Sequence, residues 1–242
     1  MRAVLAEVSK LATLPFVWLA FAAGLLVPTV IAVITSLTSE SGPDTGFSEL
    51  AVGVLGAIIL GVAAIGSEYT TEGEESAGGR QITTTLTVIP SRTKVLLAKT
   101  AAVILATVLL AVLAIGMVFA TVQLLLGDQA PVLDAHAFTR LGGAVAYWVL
   151  MALLGFGLTV VTRNGIIPMA ILVANSSAVT VTYLLAQSIA AANYLPDLAG
   201  MRMFTTLRTG VEIAPLTGGL IMTAWVTALL IVAGAVFSRR DA

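Results

Sequence analysis

The sequence predicts an all-α protein that spans a membrane six times, and its composition, hydropathy and spacing of charges lead to this prediction. Of its 242 residues, 58% are hydrophobic and only 10% are charged, whereas soluble domains carry about 25% charged residues. The mean hydropathy is +1.03. A helix needs about 20 residues to cross a bilayer, and several stretches without charged residues reach this length. This composition excludes a water-soluble globular protein, a disordered chain and a nucleic-acid-binding protein with a basic face.

Six stretches with few or no charged residues predict the transmembrane helices. They are apolar on every face, and none shows the period-two alternation of a transmembrane β-strand. We expect the spans at Leu14–Thr35, Glu49–Gly66, Val95–Leu126, Leu141–Thr162, Ile166–Gln187 and Ala214–Phe237. Together with their connections they are expected to form one transmembrane domain over residues 1–242.

The positions of Lys and Arg predict the orientation, since cytoplasmic loops carry the excess of these residues. With the N-terminus inside, nine of the twelve Lys and Arg residues lie on the cytoplasmic side and three lie outside. Both termini are therefore expected in the cytoplasm. The chain is expected to be a multi-pass protein of the cell membrane.

Two segments outside the spans are predicted to lie against the membrane. Residues 1–13 carry Val4, Val8 and Leu11 on one helical face, which is typical of an amphipathic helix at the membrane interface. Residues 188–212, on the outer side, are too polar at their centre to span. They are predicted either to re-enter the membrane, where protein must bury the backbone, or to lie flat at the outer interface, and both alternatives stay open.

Residues 66–94 form a long cytoplasmic connection between the second and third predicted spans. Pro90 prevents one continuous helix from running into the third span. Loops longer than about 12–15 residues are usually functional or disordered. Acidic residues come first and basic residues last, at Glu68, Glu72, Glu74, Glu75, Arg80, Arg92 and Lys94. This acidic loop is the predicted docking site for a partner.

Catalytic and metal-binding groups are scarce. His136 is the single histidine and the chain has no cysteine, so a zinc site would need three carboxylates or waters. No G-x-x-x-x-G-K-[ST] phosphate-binding loop is present. Glu74, Glu75 and Arg80 resemble, with one residue too many, the Glu-Glu-x-x-x-Arg motif of CAAX-type intramembrane proteases. Those enzymes also need histidines on neighbouring helices, so we expect no catalytic residue, metal or cofactor in this chain.

Inside the spans, charge is rare and polar residues are concentrated in one helix. Glu49 lies at the outer end of the second span, whereas ion-coupled transporters more often carry an acid at mid-membrane, so energy is expected from another subunit. The fifth span contains Asn175, Ser176, Thr180, Tyr183 and Gln187. These side chains either line a translocation pathway or make interhelical hydrogen bonds worth about 0.6 kcal/mol each, and both interpretations stay open.

Small residues in the second span indicate close packing. Gly53, Ala57 and Gly61 recur every four residues and therefore share one helical face. Such a small-xxx-small stripe lets another helix approach closely. We expect this face to pack against a neighbouring span.

Four segments resemble a known family when they are taken in order. They are Gly66-Ser67-Glu68-Tyr69, Thr84-Thr85-Leu86, Val88-Ile89-Pro90-Ser91-Arg92 and Leu96-Leu97-Ala98-Lys99. Their order and spacing resemble the G-x-E-Y…T-L…V-P-x-R…L-L-x-A-K pattern of permease subunits of type-2 ATP-binding cassette (ABC) exporters, notably small actinobacterial ones. Glu7-x-x-Lys10-Leu11 resembles the opening of that family, and Tyr194-Leu195-Pro196 resembles its outer segment.

The resemblance implies a fold, a mechanism and partners. It implies two permeases, identical or homologous, around a central pathway in the lipid, with a small or amphipathic substrate. It implies a coupling helix within 66–94 that docks on a separate ATPase, present in two copies and carrying ATP and Mg. Carried over by residue, Glu68 and Tyr69 contact the ATPase and Arg92 borders the loop at the membrane.

The sequence departs from the family pattern between Tyr69 and Thr84, where extra acidic and glycine residues are inserted. The expected coupling region therefore also includes Glu72, Glu74, Glu75 and Arg80. The alternative reading is a membrane scaffold or immunity-type protein that binds a partner through this acidic loop and transports nothing.

Overall fold

The computed structural model describes residues 2–38, 41–69, 92–176, 181–207 and 209–239, which form helices and turns without a β-strand. The helices are α1 (Arg2–Thr13), α2 (Pro15–Thr38), α3 (Phe47–Gly66), α4 (Arg92–Leu126), α5 (Ala135–Thr162), α6 (Ile166–Asn175), α7 (Val181–Ser188), α8 (Pro196–Met201) and α9 (Pro215–Arg239). Short 3₁₀ turns lie at Gly127–Gln129 and Ala190–Tyr194. The predicted all-α membrane fold is confirmed.

Five of the described helices, α2, α3, α4, α5 and α9, are long and apolar enough to cross a membrane. They correspond to the first, second, third, fourth and sixth predicted spans, with ends that differ by a few residues. The largest difference is in α5, which begins at Ala135 because Asp134 caps it by accepting from the Ala137 N–H at 2.8 Å. A polar N-cap of this kind starts a helix regardless of membrane boundaries.

The fifth span differs from the prediction of one helix over Ile166–Gln187. Helix α6 ends at Asn175, Ser176 is outside it, and α7 begins at Val181. The Asn175 side chain accepts a hydrogen bond from the Thr182 N–H at 3.2 Å, so it satisfies an amide in the first turn of α7. Asn and Ser compete for backbone groups in this way, which the predicted continuous helix did not take into account.

The chain from α6 to the segment after α8 nevertheless runs from one end of α3 to the other. Gly165 lies beside Gly66 at the end of α3, where both line one cavity. Beyond α8, the Thr206 hydroxyl donates to Asp44 at 3.3 Å, just before the start of α3. The chain between them therefore runs the length of α3, as a fifth crossing requires.

Helix α3 lies at the centre of the bundle and packs most extensively against α2 and α5. Gly61 lies against the backbone of Ala152, and a Cβ at Gly61 would overlap its carbonyl oxygen. Gly53 lies against Trp148 of α5, whose indole N–H donates to the Leu50 carbonyl at 3.1 Å. Ala57, on the same face, is fully buried.

The remaining long helices expose apolar side chains on their outward faces. Leu26 and Ile34 on α2, Leu105 on α4, and Leu220 and Ile231 on α9 are all more than half exposed. Large apolar surfaces of this kind are stable when lipid is the neighbour. The bundle thus presents α2, α4 and α9 to the membrane and keeps α3 and α5 inside.

Candidate functional site

Four charged side chains meet at the end of the bundle from which residues 66–94 depart. Helix α1 supplies Glu7 and Lys10, Glu68 follows the end of α3, and Lys99 lies in the second turn of α4. The Lys99 ammonium donates to Glu7 Oε2 at 2.7 Å and to Glu68 Oε1 at 2.8 Å. Lys10 donates to the same Glu68 oxygen. We call these four residues the cytoplasmic charge cluster.

Three of the four side chains are buried, Lys10 is 32% exposed, and the charges of the cluster balance. The side chain of Glu68 is 0% exposed and that of Lys99 is 3% exposed. Burial alone would raise the pKa of the Glu68 carboxyl, but the nearby charge of Lys99, the hydrogen bonds from Lys10 and Lys99, and the charge of Lys10 together hold this pKa below its usual value. Buried ions are tolerated when each is paired and hydrogen-bonded, as these are.

The cluster joins three chain segments at the root of the cytoplasmic loop. Glu68 is the second residue after α3, while Lys99 is on the first described helix after the loop. The inward side of α1 carries both charge and apolar surface: Glu7 and Leu11 are buried there, while Leu5 is 63% exposed. Val8 and Leu11 of the predicted apolar face pack in the core as well, so ion pairs and apolar contacts together hold α1 against the bundle.

The predicted coupling residues are distributed as follows. Glu68 is inside the cluster, so its carboxylate is occupied by Lys10 and Lys99; contact of Glu68 with an ATPase stays a prediction. Tyr69 is half-buried against the core. Arg92 begins α4, and its side chain is outside the described set. Residues Glu72, Glu74, Glu75 and Arg80 lie outside the described residues, as does most of the loop.

A cavity of about 600 Å³ lies beside the cluster. Tyr69 and Ser67 line it from the end of α3, Arg163 lines it from the end of α5, and Phe16 and Met169 contribute apolar surface. Arg163 adopts a left-handed backbone conformation with φ 53°, which terminates α5. The first residues after α3 and the start of α6 therefore lie on the same cavity.

At the opposite end of the bundle, Arg140 ties the α2–α3 connection to the segment after α8. Its guanidinium donates to the Phe204 carbonyl at 2.8 Å and the Pro43 carbonyl at 2.9 Å, and it pairs with Asp44. It also lies 3.8 Å from the ring centroid of Phe47. The planar guanidinium suits several simultaneous contacts of this kind.

A second cavity, of about 450 Å³, lies between the start of α3, α5, the α6–α7 break and α8. Asn175, Ser176 and Tyr183 line it, together with Asp197 of α8. The Asp197 carboxylate accepts from Asn175 Nδ2 at 2.7 Å and from the Thr182 hydroxyl. We call this the outer cavity, because it adjoins the Arg140 end of the bundle.

The structure therefore brings together three of the five predicted pathway residues. Gln187 is exposed and does not line the outer cavity, and Thr180 lies outside the described residues. Asn175 is engaged in hydrogen bonds with Thr182 and Asp197. Its neighbour Ser176 is buried, with no hydrogen-bond partner for its hydroxyl in the described part of the chain.

The sequence interpretation missed Asp197 and the pairing of Glu7, Lys10 and Lys99. Asp197 is the single acid in an otherwise apolar run after Pro196, and an isolated acid in such a segment is a usable signal. Glu7 and Lys10 are one helical turn apart, which marks a charged face without naming its partner. No three His, Cys, Asp or Glu residues among those described come together as metal ligands.

The fold and its lipid-facing helices define a multi-pass protein of the plasma membrane. Residues 3–178 match the family model of ABC-2 family transporter proteins, and the chain belongs to this family. It is a transmembrane permease subunit of an ABC transporter and works with an ABC ATPase; permeases of this family are generally the non-catalytic membrane component. No curated protein gives a significant match to the chain.

Proposed function

We propose that this permease pairs with a second permease, identical or homologous, and exports a small or amphipathic substrate along the pathway between them. Two ATPase subunits, each binding ATP and Mg, dock on the loop over residues 66–94 and supply the energy, and this chain carries no catalytic residue. The single observation that supports the proposal is the cytoplasmic charge cluster, which joins both ends of that loop to α1.

The geometry of the cluster suits transmission of a movement. Glu68 lies between the end of α3 and the loop, and Lys99 lies on α4, the helix after the loop. The ion pair of 2.8 Å between them therefore links the two ends of the loop. A displacement of the loop therefore acts on α3 and α4 together, as rigid-body switching requires. Glu7 and Lys10 extend the same connection to α1.

The part of the loop after Tyr69 supplies the contacts to the ATPase. Glu72, Glu74 and Glu75 are acidic, while Arg80 and Arg92 are basic, so the loop presents both signs of charge to a complementary groove. Complementary charges favour the correct partner and speed association. Glu68 acts behind this surface, because its carboxylate is held within the chain, and Tyr69 lies between the two regions.

The outer segment, residues 188–212, completes the pathway at the other side. Asn193, Asp197 and Arg202 in it are buried by protein, which is the condition under which irregular backbone can enter a membrane. We therefore favour the re-entrant interpretation over a helix lying flat at the interface.

Co-purification with an ATPase tests the proposal. The tagged permease is expressed with an ATPase that carries a phosphate-binding loop and is encoded beside it, and the complex is reconstituted in nanodiscs. We expect the ATPase to co-purify and its hydrolysis of MgATP to depend on the permease. Lys99→Met should reduce this dependence, because it removes the cation that closes the loop, whereas Arg239→Met on exposed α9 should leave it unchanged.

The result that contradicts the proposal is equally specific. If no ATPase co-purifies in the presence or absence of nucleotide, the non-transporting scaffold or immunity-type function is the better explanation. If an ATPase binds but Lys99→Met and Arg239→Met behave alike, the charge cluster has no part in coupling.

A further inference from the structure

We propose that the outer cavity binds an amphipathic molecule through a protonated amine, with Asp197 as the counter-charge. As the site of a transported substrate this rests on the proposed function, whereas binding itself does not. The established family membership names no substrate. Three features of the cavity support this ligand class: a buried acid, a buried hydroxyl with no hydrogen-bond partner among the described residues, and an apolar wall.

The first feature is the charge of Asp197. This residue is 6% exposed, and its Oδ2 atom accepts from two neutral groups, the Asn175 amide and the Thr182 hydroxyl. The four ion pairs of the described residues all lie elsewhere. A buried carboxylate without a cation is energetically costly, so a cationic ligand that reaches it gains a strong charge-assisted hydrogen bond.

The second feature is Ser176, which lies at the break between α6 and α7. It is 8% exposed, and its hydroxyl has no hydrogen-bond partner among the described residues. Buried side-chain hydroxyls are nearly always hydrogen-bonded. Because Ser176 lines the same cavity as Asp197, its oxygen can accept a second N–H from an ammonium group.

The third feature is the wall around these polar groups. Leu184, Met201 and Leu207 supply apolar surface, and Tyr147 and Tyr183 supply aromatic rings. Aromatic faces attract cations and also pack against an apolar body. A volume of about 450 Å³ lies within the roughly 300–1,000 Å³ that is usual for small-molecule sites.

The other acid of the cavity does not compete for the ligand. Asp44 lines the same cavity, but it is paired with Arg140. No basic side chain is among the described lining residues. Among the described lining residues, Asp197 is therefore the one acid without a paired cation, which favours a single positive group over an anion or a neutral molecule.

Binding of two matched probes to the isolated permease tests this site. The protein is placed in phosphatidylcholine nanodiscs, and 1-naphthylmethylammonium and the neutral 1-naphthylmethanol are titrated by calorimetry, with protein-free nanodiscs subtracted. We expect the amine to bind at least about tenfold more tightly, because only the ammonium adds charge-assisted hydrogen bonds to Asp197. Asp197→Asn should abolish this preference, and Asp128→Asn, an exposed acid outside the cavity, should preserve it.

A second variant covers the case in which Asp197→Asn does not fold. Ser48 lines the cavity and is exposed, so Ser48→Lys introduces an ammonium without altering Asp197. It should abolish the preference for the amine. Equal affinity of the two probes for the unmodified protein, or a preference that survives in folded Asp197→Asn or in Ser48→Lys, would overturn the proposal. Displacement of the amine by millimolar Na⁺ would also overturn it, because the site would then be an inorganic cation site.

Failure of this site and failure of the proposed function are distinguishable. The probe measurement uses the permease without an ATPase, so it is independent of coupling. If the amine preference is present but no ATPase co-purifies, the amine site in the outer cavity is supported and the exporter function is contradicted. If the ATPase is coupled but the probes bind equally, the exporter function stands and the assigned ligand class falls.

Discussion

The ammonium of Lys99 donates to the Glu68 carboxylate at 2.8 Å, across 31 positions of sequence that include the cytoplasmic loop. Both side chains are almost completely removed from solvent. In a buried environment each ion depends on the other, because neither can be hydrated. This pair therefore makes the base of the loop a rigid joint between α3 and α4, and it leads to testable consequences.

Removal of the Lys99 charge should destabilise the folded permease. In Lys99→Met, the Glu7 and Glu68 carboxylates lose a shared cation, and loss of one partner of a buried pair typically costs about 3–5 kcal/mol. Thermal unfolding in detergent, followed by circular dichroism, should show a clearly lower midpoint. Lys94→Met is the matched control, because Lys94 is exposed and lies five positions before Lys99. Equal midpoints for the two variants would show that the pair contributes no stability.

Acidification should remove the contribution of Glu68 to stability. Its pKa is held below the usual value of 4.5 by Lys99 and Lys10, against the effect of burial. The unfolded chain therefore takes up the proton first, so the contribution is complete above about pH 5 and is lost as the pH falls through the lowered pKa. The native protein should have a higher unfolding midpoint than Glu68→Gln at pH 7, and this difference should become smaller as the pH is lowered to 3. A difference that is independent of pH would contradict this assignment.

A methyl group at Gly61 should disturb the packing of α3 on α5. The Cβ of Gly61→Ala would overlap the carbonyl oxygen of Ala152, and overpacking of this kind costs about 1–3 kcal/mol. A Cβ at Gly116 on α4 would meet no atom within 4 Å. Gly116→Ala should therefore be neutral or stabilise the fold by up to about 1 kcal/mol through helix propensity. Unfolding midpoints measured side by side test the difference. If both variants are equally stable, the close approach of α3 and α5 is not maintained.

Replacement of Arg140 should loosen the outer end of the bundle. Lysine keeps the charge but cannot donate simultaneously to Phe204, Pro43 and Asp44 as the guanidinium does. Loss of charged hydrogen bonds of this kind costs about 1.5–3 kcal/mol. Hydrogen–deuterium exchange in Arg140→Lys should increase over residues 196–207, while Arg239→Lys, at the exposed end of α9, should not change it. Unaltered exchange in Arg140→Lys would mean that other contacts hold this segment.

Hydropathy was sufficient to locate most of the membrane fold. The spans represented by α2, α3, α4, α5 and α9 were predicted within a few residues because apolar length is a property of each segment alone. The fifth span was placed correctly along the chain but was expected to be continuous. At the end of α6 the Asn175 side chain bonds both Thr182 and Asp197, and no local pattern distinguishes such a residue from one that faces another helix.

The candidate sites were less accessible to sequence reasoning. Polar residues such as Ser176 could be recognised as unusual inside a span, yet the acid that gives the outer cavity its charge comes 21 positions later, in α8. Likewise, the order of the motifs around Glu68 indicated a coupling region. It could not reveal that the Glu68 carboxylate is enclosed by Lys10 and Lys99.

The sparse charge was enough to establish a multi-pass membrane protein, because insertion into lipid depends on local composition. The cytoplasmic side of the loop over residues 66–94 stays a prediction from the Lys and Arg distribution. Which of the few charges are paired was decided by tertiary structure. Glu7 and Lys99 are separated by 92 positions and meet at 2.7 Å, while Asp197 is buried without a cation among the described residues. Ion pairing falls off with distance in space, and only the packed helices determine that distance.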